Sequence, residues 1–298
     1  MNYKFNFSNK MKRTFKLNSF VILTILLTTT TTTSFSKSKP AATFNIISYN
    51  IRMNTAGDSL NAWPLRKEKV EGLLRFHQSD IFNVQEALPE QMDDLMAAFP
   101  EFDHVGVGRD DGVRSGEHTA IFYKKNCFEK LNDGVFWLNE TPEGPGKGWD
   151  AAHNRTVTWI KLKHKSTGKS FYIFNTHFDN QGKVARDKGA LLTIKMMKEI
   201  NKEGLPLILT GDLNLSKNTT SVQLILGYLS DAMDKTITPH YGPVSTSGGF
   251  AVKNLSRKID YIFINDKVTV LRHGHLSDSF GLFYPSDHLP VLVELRIN

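Results

Sequence analysis

Apolar segments recur along the chain and are separated by polar or glycine-containing stretches. They are rich in Ile, Val, Phe and Tyr, the residue types that pack well in sheets, so we interpret each as a buried strand. The segments lie at residues 43–53, 80–88, 118–125, 156–164, 170–178, 205–213, 258–266 and 288–297.

Segments with the apolar spacing of amphipathic helices lie between these strands. Two are predicted to begin at Pro64 and Pro89, because proline is favoured in the first turn of a helix, and a third covers residues 184–200. The apolar stripe of the first helix is predicted to contain Leu65, Val70, Leu73 and Leu74. Helices interleaved with strands predict a layered α/β domain. The strands at 156–164 and 170–178, joined by the turn-like "KSTGK", predict a hairpin and therefore a mixed sheet.

The first 36 residues have the layout of a secretory signal peptide. Five basic residues and no acid precede a short apolar run at residues 20–27, which is followed by a threonine tract and a small-x-small pattern ending at Ser36. The run is much shorter than the roughly 20 residues that a membrane span needs. We therefore predict a signal peptide at residues 1–36, export to the periplasm or the medium, and one domain at residues 37–298. An uncleaved amphipathic anchor is the alternative.

The signal peptide also accounts for most of the positive charge. The whole chain has a formal net charge of +7, but residues 37–298 hold 32 basic and 30 acidic residues, or about +2. Nucleic-acid-binding proteins usually carry a clustered basic surface, so this near-neutral balance gives no support for one. The single cysteine, Cys127, excludes an intrachain disulfide.

Polar residues follow several of the predicted strands. One such residue alone usually indicates a turn, but here carboxylates, amides and imidazoles recur at similar depths. If the strand continues past Gly211, Asp212 and Asn214 point to the same side, and Gly211 allows a tight turn or a close approach to the substrate. Hard oxygen ligands suit Mg²⁺, Mn²⁺ or Ca²⁺. The residues in question are Asn50, Glu86, His177, Asp212, Asn214, Asp260, Asp287 and His288.

These residues belong to short motifs that occur in a fixed order. From about Phe44 to Leu295 the chain resembles the endonuclease/exonuclease/phosphatase superfamily, which includes pancreatic deoxyribonuclease, inositol polyphosphate 5-phosphatases and bacterial sphingomyelinases. The resemblance implies a four-layer α/β sandwich of two packed mixed β-sheets flanked by helices, with the site at one end. The motifs are "SYNIR", "QEA", "NTHFD", "GDLN", "IDYIF" and "SDHLP".

The resemblance also implies residue roles. Glu86 would be the principal ligand of Mg²⁺ or Mn²⁺, with Asn50 beside it and Asp287 completing the metal environment. Asp212 would orient or deprotonate the attacking water, and Asn214 would hold a phosphate oxygen. A metal, an oriented water and a stabilised leaving oxygen are what phosphoester hydrolysis requires.

Further roles are implied for four other residues. His288 would contact the scissile phosphate while hydrogen-bonded to Asp260. Glu117 would pair with His177 and orient it as an acid for the leaving group, and Arg155 would contact the phosphate. For Glu117 and Arg155 the alternative is an ordinary surface residue.

Two loops lie close to these motifs in the sequence. The loop at residues 136–155 contains Trp137 and Trp149 and is predicted either to wall the substrate pocket or to be only a surface loop. In a second loop, Arg109 and Arg114 either reach a phosphate or face solvent.

The leading hypothesis is an exported, metal-dependent phosphoesterase that acts on a small phosphorylated compound. The expected partners are this substrate or nucleic acid, with no stable membrane span and a monomeric state. A secreted nuclease acting on DNA or RNA is the alternative enzyme, and a binding module that has lost catalysis is the alternative of another class.

Overall fold

The computed structural model describes residue 1 and residues 41–298. The predicted signal peptide at residues 1–36 lies, apart from residue 1, outside the described residues. Residues 41–298 contain twelve strands: β1 (Ala42–Asn50), β2 (Ile81–Gln85), β3 (Phe102–Val105), β4 (Ile121–Lys124), β5 (Phe128–Trp137), β6 (Thr156–His164), β7 (Ser170–His177), β8 (Leu207–Asp212), β9 (Ser230–Asp231), β10 (Asp260–Ile264), β11 (Val268–His275) and β12 (Val291–Ile297).

Helices and short 3₁₀ turns connect the strands. Among the described residues no helix is long and apolar enough to cross a membrane. The helices are α1 (Trp63–Phe76), α2 (Pro89–Ala98), α3 (Lys183–Ile200), α4 (Thr220–Leu226) and α5 (Ala232–Lys235), and the 3₁₀ turns are Ala56–Asn61 and Val252–Asn254.

The strands form two six-stranded mixed sheets. The first has the order β11-β12-β1-β2-β4-β3, and the second has the order β5-β6-β7-β8-β10-β9. In the first sheet β1 and β2 are parallel, and in the second β7 and β8 are parallel, whereas the remaining neighbours are antiparallel. The parallel pairs place the carboxyl ends of their strands at one edge of each sheet.

Apolar side chains fill three layers around the sheets. Ile46 and Ile121 of the first sheet and Ile173 and Ile208 of the second lie in the layer between the two sheets. A second layer packs α1 and α2 against the first sheet, and a third packs α3 and α4 against the second. The predicted four-layer sandwich of two mixed sheets flanked by helices is therefore confirmed.

The buried face of α1 differs from the predicted stripe. Leu65 is 58% exposed, whereas Trp63 and Arg66 are buried together with Val70, Leu73 and Leu74. The helix begins at Trp63, and Leu65 lies about 200° around the helix from it, so the two cannot share one face. The prediction for Leu65 was wrong because the stripe was aligned on the wrong first residue.

Gly211 packs against the neighbouring strand. Its φ is +147°, and a Cβ there would lie 2.0 Å from the carbonyl oxygen of Thr176, its partner on β7. The close approach that the sequence suggested is therefore to a strand backbone.

We expect Gly211→Ala to lower the free energy of unfolding by about 3 kcal/mol or more, because both the φ and the contact exclude a side chain. Gly168→Ala is the matched control, since Gly168 has a φ of +73° but open space around it, and should lose about 1 kcal/mol. Urea unfolding measures both, and equal losses would show that the contact with Thr176 is unimportant.

Candidate active site

The strand register brings three of the predicted site residues into one row. Asp212 ends β8, and its Cα partners on the neighbouring strands are His177 of β7 and Asp260 of β10. Asn50 ends β1 in the other sheet and reaches the same place. The site therefore lies at one end of the sandwich, where the two sheets meet.

Asp212 is only 1% exposed, yet polar groups surround its carboxylate. Its Oδ2 accepts a hydrogen bond from Asn50 Nδ2 at 3.0 Å, and its Oδ1 accepts one from the backbone N–H of Asn214 at 2.7 Å. The Nε2 atoms of His177 and His288 lie 3.6 and 3.8 Å from Oδ2. Burial opposes ionisation, but these neighbours outweigh it and hold the pKa of Asp212 below its usual value.

His288 lies between two carboxylates. Its Nδ1 is 2.9 Å from Asp260 Oδ2, and Asp260 is itself fixed by its backbone N–H, which donates to Thr246 Oγ1. Burial lowers the pKa of His288, but Asp260 and Asp212 raise it more, so the net shift is well above the usual value. Burial raises the pKa of Asp260. The two carboxylates therefore favour the protonated form of His288.

Glu86 and Asn50 form the opposite side of the site. Glu86 follows β2 with a φ of +62°, a conformation that residues with a Cβ rarely adopt. Its Oε1 accepts from Asn50 Nδ2 and its Oε2 from the backbone N–H of Met53, both at 3.0 Å. The left-handed turn thus aims the carboxylate back at the end of β1.

Two groups of side chains here suit a divalent cation. Burial raises the pKa of Asp287, and the charge of Glu86 raises it further, a repulsion that a cation between these oxygen ligands would relieve. In the second group, ligand atoms of Asp212, Asp260 and His288 lie within 4.8 Å of one another. The hydrogen bond between Asp260 and His288 already engages both of those residues, so the edge with Glu86 and Asp287 is the better fit.

His177 and Asn214 pair across the ends of β7 and β8. Asn214 has a φ of +55°, and its Nδ2 donates to His177 Nε2 and to the carbonyl of Phe178, each at 3.0 Å. Nε2 then accepts, so the proton of a neutral His177 lies on Nδ1. The two polar side chains of "GDLN" do meet at the site, although the strand ends at Asp212.

Glu117 faces His177 but binds Arg109. The distance from Glu117 Oε2 to His177 Nδ1 is 3.7 Å, which is an ion-pair distance and not a hydrogen bond, whereas Arg109 Nη1 donates to Oε2 at 2.6 Å. Burial opposes ionisation, but His177, Arg109 and Arg155 lower the pKa of Glu117 to about 2. From the sequence we expected Arg109 either to reach a phosphate or to face solvent. This contact was missed because the two residues meet only through the loop fold. Arg114, in contrast, pairs with the exposed Asp93.

Arg155 is buried beneath the site. Its Nη1 lies 3.9 Å from Glu117, and its Nε lies 3.5 Å from Asp179. Asp179 accepts hydrogen bonds from the backbone N–H groups of Ala152, His153, Gln181 and Gly182. Asp179 lies within the motif "NTHFD", and its spacing two residues after His177 was the available signal for it.

The loop at residues 136–155 is tied to the site by specific contacts. Trp137 is buried, and its Nε1 donates to the carbonyl of Arg109 at 2.8 Å. This hydrogen bond holds in place the arginine that binds Glu117. Asp150 accepts from the backbone N–H groups of Val184 and Ala185 in the first turn of α3. Trp149 is half-buried. The loop therefore adjoins the site as a fixed segment.

Carboxylates, imidazoles and amides clustered at one end of two packed mixed sheets define a class of α/β phosphoester hydrolases. A model of the Endonuclease/Exonuclease/phosphatase family matches residues 47–288, and the chain belongs to this family. Members of the family hydrolyse phosphoester bonds and generally depend on a divalent metal.

Solved structures and a curated relative resemble this chain. A crystal structure of an endonuclease/exonuclease/phosphatase family protein from Bacteroides thetaiotaomicron is 37% identical, with a TM-score of 0.84, and the match covers 87% of this chain and 99% of that one. A mannosyl-6-phosphatase from the same organism is 38% identical, with a TM-score of 0.82, over 85% and 99% of the two chains. RNA exonuclease NGL1 of Saccharomyces cerevisiae is 23% identical over 182 residues, or 48% of this chain and 49% of the relative. The chain thus spans about half the length of this relative.

We predict that Asp179→Asn lowers the free energy of unfolding by about 2 kcal/mol at pH 7. Burial opposes ionisation, but backbone N–H donors and Arg155 lower the pKa of Asp179 to about 2. Because this pKa is depressed on folding, the stabilisation is present above the unfolded value of about 4 and is lost as the pH falls to about 2. Urea unfolding against pH, with the exposed Asp266→Asn as control, measures this. A difference between wild type and variant that stays constant from pH 5 to pH 2 would contradict it.

Proposed function

We propose that this protein is a divalent-metal-dependent phosphoesterase that hydrolyses an ester of a small phosphorylated compound, with a phosphosugar as the best candidate. The observation that carries the proposal is the buried, ionised Asp212 between His177 and His288, with the side-chain amide of Asn50 and the backbone N–H of Asn214 both donating to its carboxylate. No ordinary structural need explains this concentration of polar groups at the meeting point of two sheets.

Each of these side chains has a chemical role in the proposed reaction. Asp212 is ionised and accepts hydrogen bonds, so it can orient a water molecule and take its proton. His288, held protonated by Asp260, can donate to a non-bridging phosphate oxygen and stabilise the charge that develops there. Asn214 fixes the ring of His177, and its amide would donate to a second phosphate oxygen only after releasing His177 or the carbonyl of Phe178.

His177 is the proposed acid for the leaving oxygen, and in this role its Nε2 carries a proton in place of the hydrogen bond from Asn214. Its Nδ1 faces Glu117, and Arg109 holds that carboxylate in position. Arg155 lies behind Glu117 and adds positive charge beneath the site. In this arrangement Glu117, Arg109 and Arg155 act on the substrate through His177 and through the local potential.

We assign the metal to Glu86, with Asn50 and Asp287 beside it. Their oxygen atoms suit Mg²⁺ or Mn²⁺. A bound cation would neutralise charge on the phosphate oxygens.

Three observations support a small phosphorylated substrate: the net charge, the loop at residues 136–155 and the similarity to a phosphatase of known structure. The region after the predicted signal peptide is nearly neutral, which disfavours a long polyanion. The fixed loop with Trp149 offers an aromatic side chain that can stack on a sugar ring, and a mannosyl-6-phosphatase is similar over most of the chain. A nuclease is the second candidate, supported by the likeness to an RNA exonuclease over about half of each protein.

We also propose that the protein is exported, on the layout of residues 1–36. Amino-terminal sequencing of the protein secreted by a bacterial host tests this. A new terminus at Lys37 or nearby is expected, and an intact Met1 in an uncleaved product would contradict the prediction.

Metal removal gives a direct test of the ligand assignment. We expect a chelator to abolish hydrolysis of p-nitrophenyl phosphate, and Glu86→Gln to raise the Mg²⁺ concentration needed for half-maximal rate by about 10-fold or more, because a charged ligand is lost. Glu101→Gln, at an exposed position, is the matched control. Chelator-resistant activity, or an unchanged Mg²⁺ requirement in Glu86→Gln, would contradict the assignment.

A substrate panel separates the candidate functions. We expect phosphate release from mannose 6-phosphate and related phosphosugars to exceed cleavage of plasmid DNA or RNA and turnover of sphingomyelin, under Mg²⁺ and under Mn²⁺. Strand cleavage that falls steeply with added salt would favour the nuclease. Phosphate binding without turnover of any compound would favour the non-catalytic binding module.

A further inference from the structure

Arg52 has a strained backbone that its neighbours hold in place. Its φ is +57°, in the left-handed region that is disfavoured for a residue with a Cβ. Its backbone N–H donates to Asn50 Oδ1 at 3.0 Å, and its carbonyl accepts from Arg66 Nη2 at 2.6 Å and from Gln91 Nε2 at 2.9 Å. Strain that is fixed by three hydrogen bonds beside a site points to a functional side chain.

The side chain of Arg52 is fixed as well. Its Nε and Nη2 donate to the two carboxylate oxygens of Asp58, each at 3.0 Å, which is the two-point pairing that arginine makes with carboxylates. Nη1 lies 3.9 Å from Glu86 Oε2 and donates no hydrogen bond within residues 41–298. The side chain is 31% exposed. The guanidinium of Arg52 is therefore held in a fixed position, and its free Nη1 donors face Glu86, the proposed metal ligand.

A simple ion pair does not account for this arrangement. An ion pair between Arg52 and Asp58 could form from an unstrained backbone, and exposed pairs contribute little to stability. An arginine side chain is cationic at any working pH, so no ion pair is needed to keep Arg52 charged. Behind it, the buried Arg66 donates to the carbonyls of Ile51 and Pro285. Arg66 thereby links the segment that precedes Arg52 to the segment that precedes Asp287.

We propose that Arg52 binds the terminal phosphate of the substrate and makes the site selective for phosphate monoesters over diesters. This inference rests on the proposed function. Above a pH of about 6 a monoester carries a second negative charge and a third non-ester oxygen, which a diester lacks. His288 serves one oxygen from one side of the site, and the free Nη1 of Arg52 supplies a donor and a charge from the other.

The test compares one monoester with one diester that has the same leaving group. Arg52→Asn removes the cation while keeping a residue type that tolerates a positive φ, and Arg52→Lys keeps the charge. For Arg52→Asn we expect kcat/KM for p-nitrophenyl phosphate to fall by about 10- to 100-fold, the loss of a charged hydrogen bond, and kcat/KM for bis(p-nitrophenyl) phosphate to change by less than about 3-fold. Arg52→Lys should recover part of the loss. Arg114→Asn, at an exposed arginine paired with Asp93, is the matched control and should change neither rate.

Binding gives a readout that does not depend on turnover. Titration calorimetry should show wild type binding inorganic phosphate at least about 10-fold more tightly than dimethyl phosphate, with this preference lost in Arg52→Asn. If Arg52→Asn does not fold, Arg52→Lys serves as the variant, and its preference for inorganic phosphate should be weaker than that of wild type.

The possible results distinguish a failure of the proposed function from a failure of the role of Arg52. A wild type that hydrolyses neither ester overturns the proposed function and the role of Arg52 with it. An active wild type in which Arg52→Asn lowers both rates by the same factor, or which binds dimethyl phosphate as tightly as inorganic phosphate, overturns only the role of Arg52.

Discussion

A buried carboxylate at the meeting point of two sheets is the constraint on which this structure depends. Asp212 is ionised away from water, and an unpaired charge there would cost several kcal/mol. Its partners come from both sheets, with Asn50 from the first and His177 from the second, and from the segment that carries His288. The hydrogen bonds and ion pairs of Asp212 therefore depend on the register of β7, β8 and β10 and on the packing of the two sheets at their ends. In the proposed reaction the same contacts prepare the site for a water molecule and a phosphate.

The backbone is strained at the positions where the site needs its side chains. Arg52, Glu86 and Asn214 have positive φ values of 57°, 62° and 55°, and each follows the end of a strand. In each case hydrogen bonds to neighbouring groups hold the unusual conformation. A strand alone would send these side chains across the sheet face, whereas the left-handed turn directs them around its end. The strained turns thus bring charged and polar side chains together at one place. Phosphoester hydrolysis requires such a cluster.

Much of the fold and of the candidate site was predictable from the sequence, and the elements that the sequence did not predict were missed for physical reasons. The apolar run at 156–164 predicted β6 residue for residue, because a central strand is buried and reads as apolar. The strands β5 and β11 lie at sheet edges and contain irregular register. Much of β5 faces solvent, and the buried end of β11 carries His273 and His275, so neither strand shows a long apolar run. Motif order located the polar cluster, but the contact between Arg109 and Glu117 depends on a loop conformation that no local pattern specifies. The expected strand continuation from Asp212 to Asn214 does not occur; a left-handed turn at Asn214 instead brings its backbone N–H to Asp212 and its side chain to His177.

The central claim is that the ionised Asp212 at the end of β8 drives phosphoester hydrolysis. The most direct test is the rate of phosphate release from mannose 6-phosphate by wild type and Asp212→Asn, with Mg²⁺ present and with folding of both proteins checked by thermal unfolding. Asparagine keeps the size of the side chain and removes its charge and its ability to take a proton. The account predicts a fall in kcat/KM of about 10³-fold in the folded variant. A folded Asp212→Asn protein that keeps its rate within about 3-fold of wild type would contradict it.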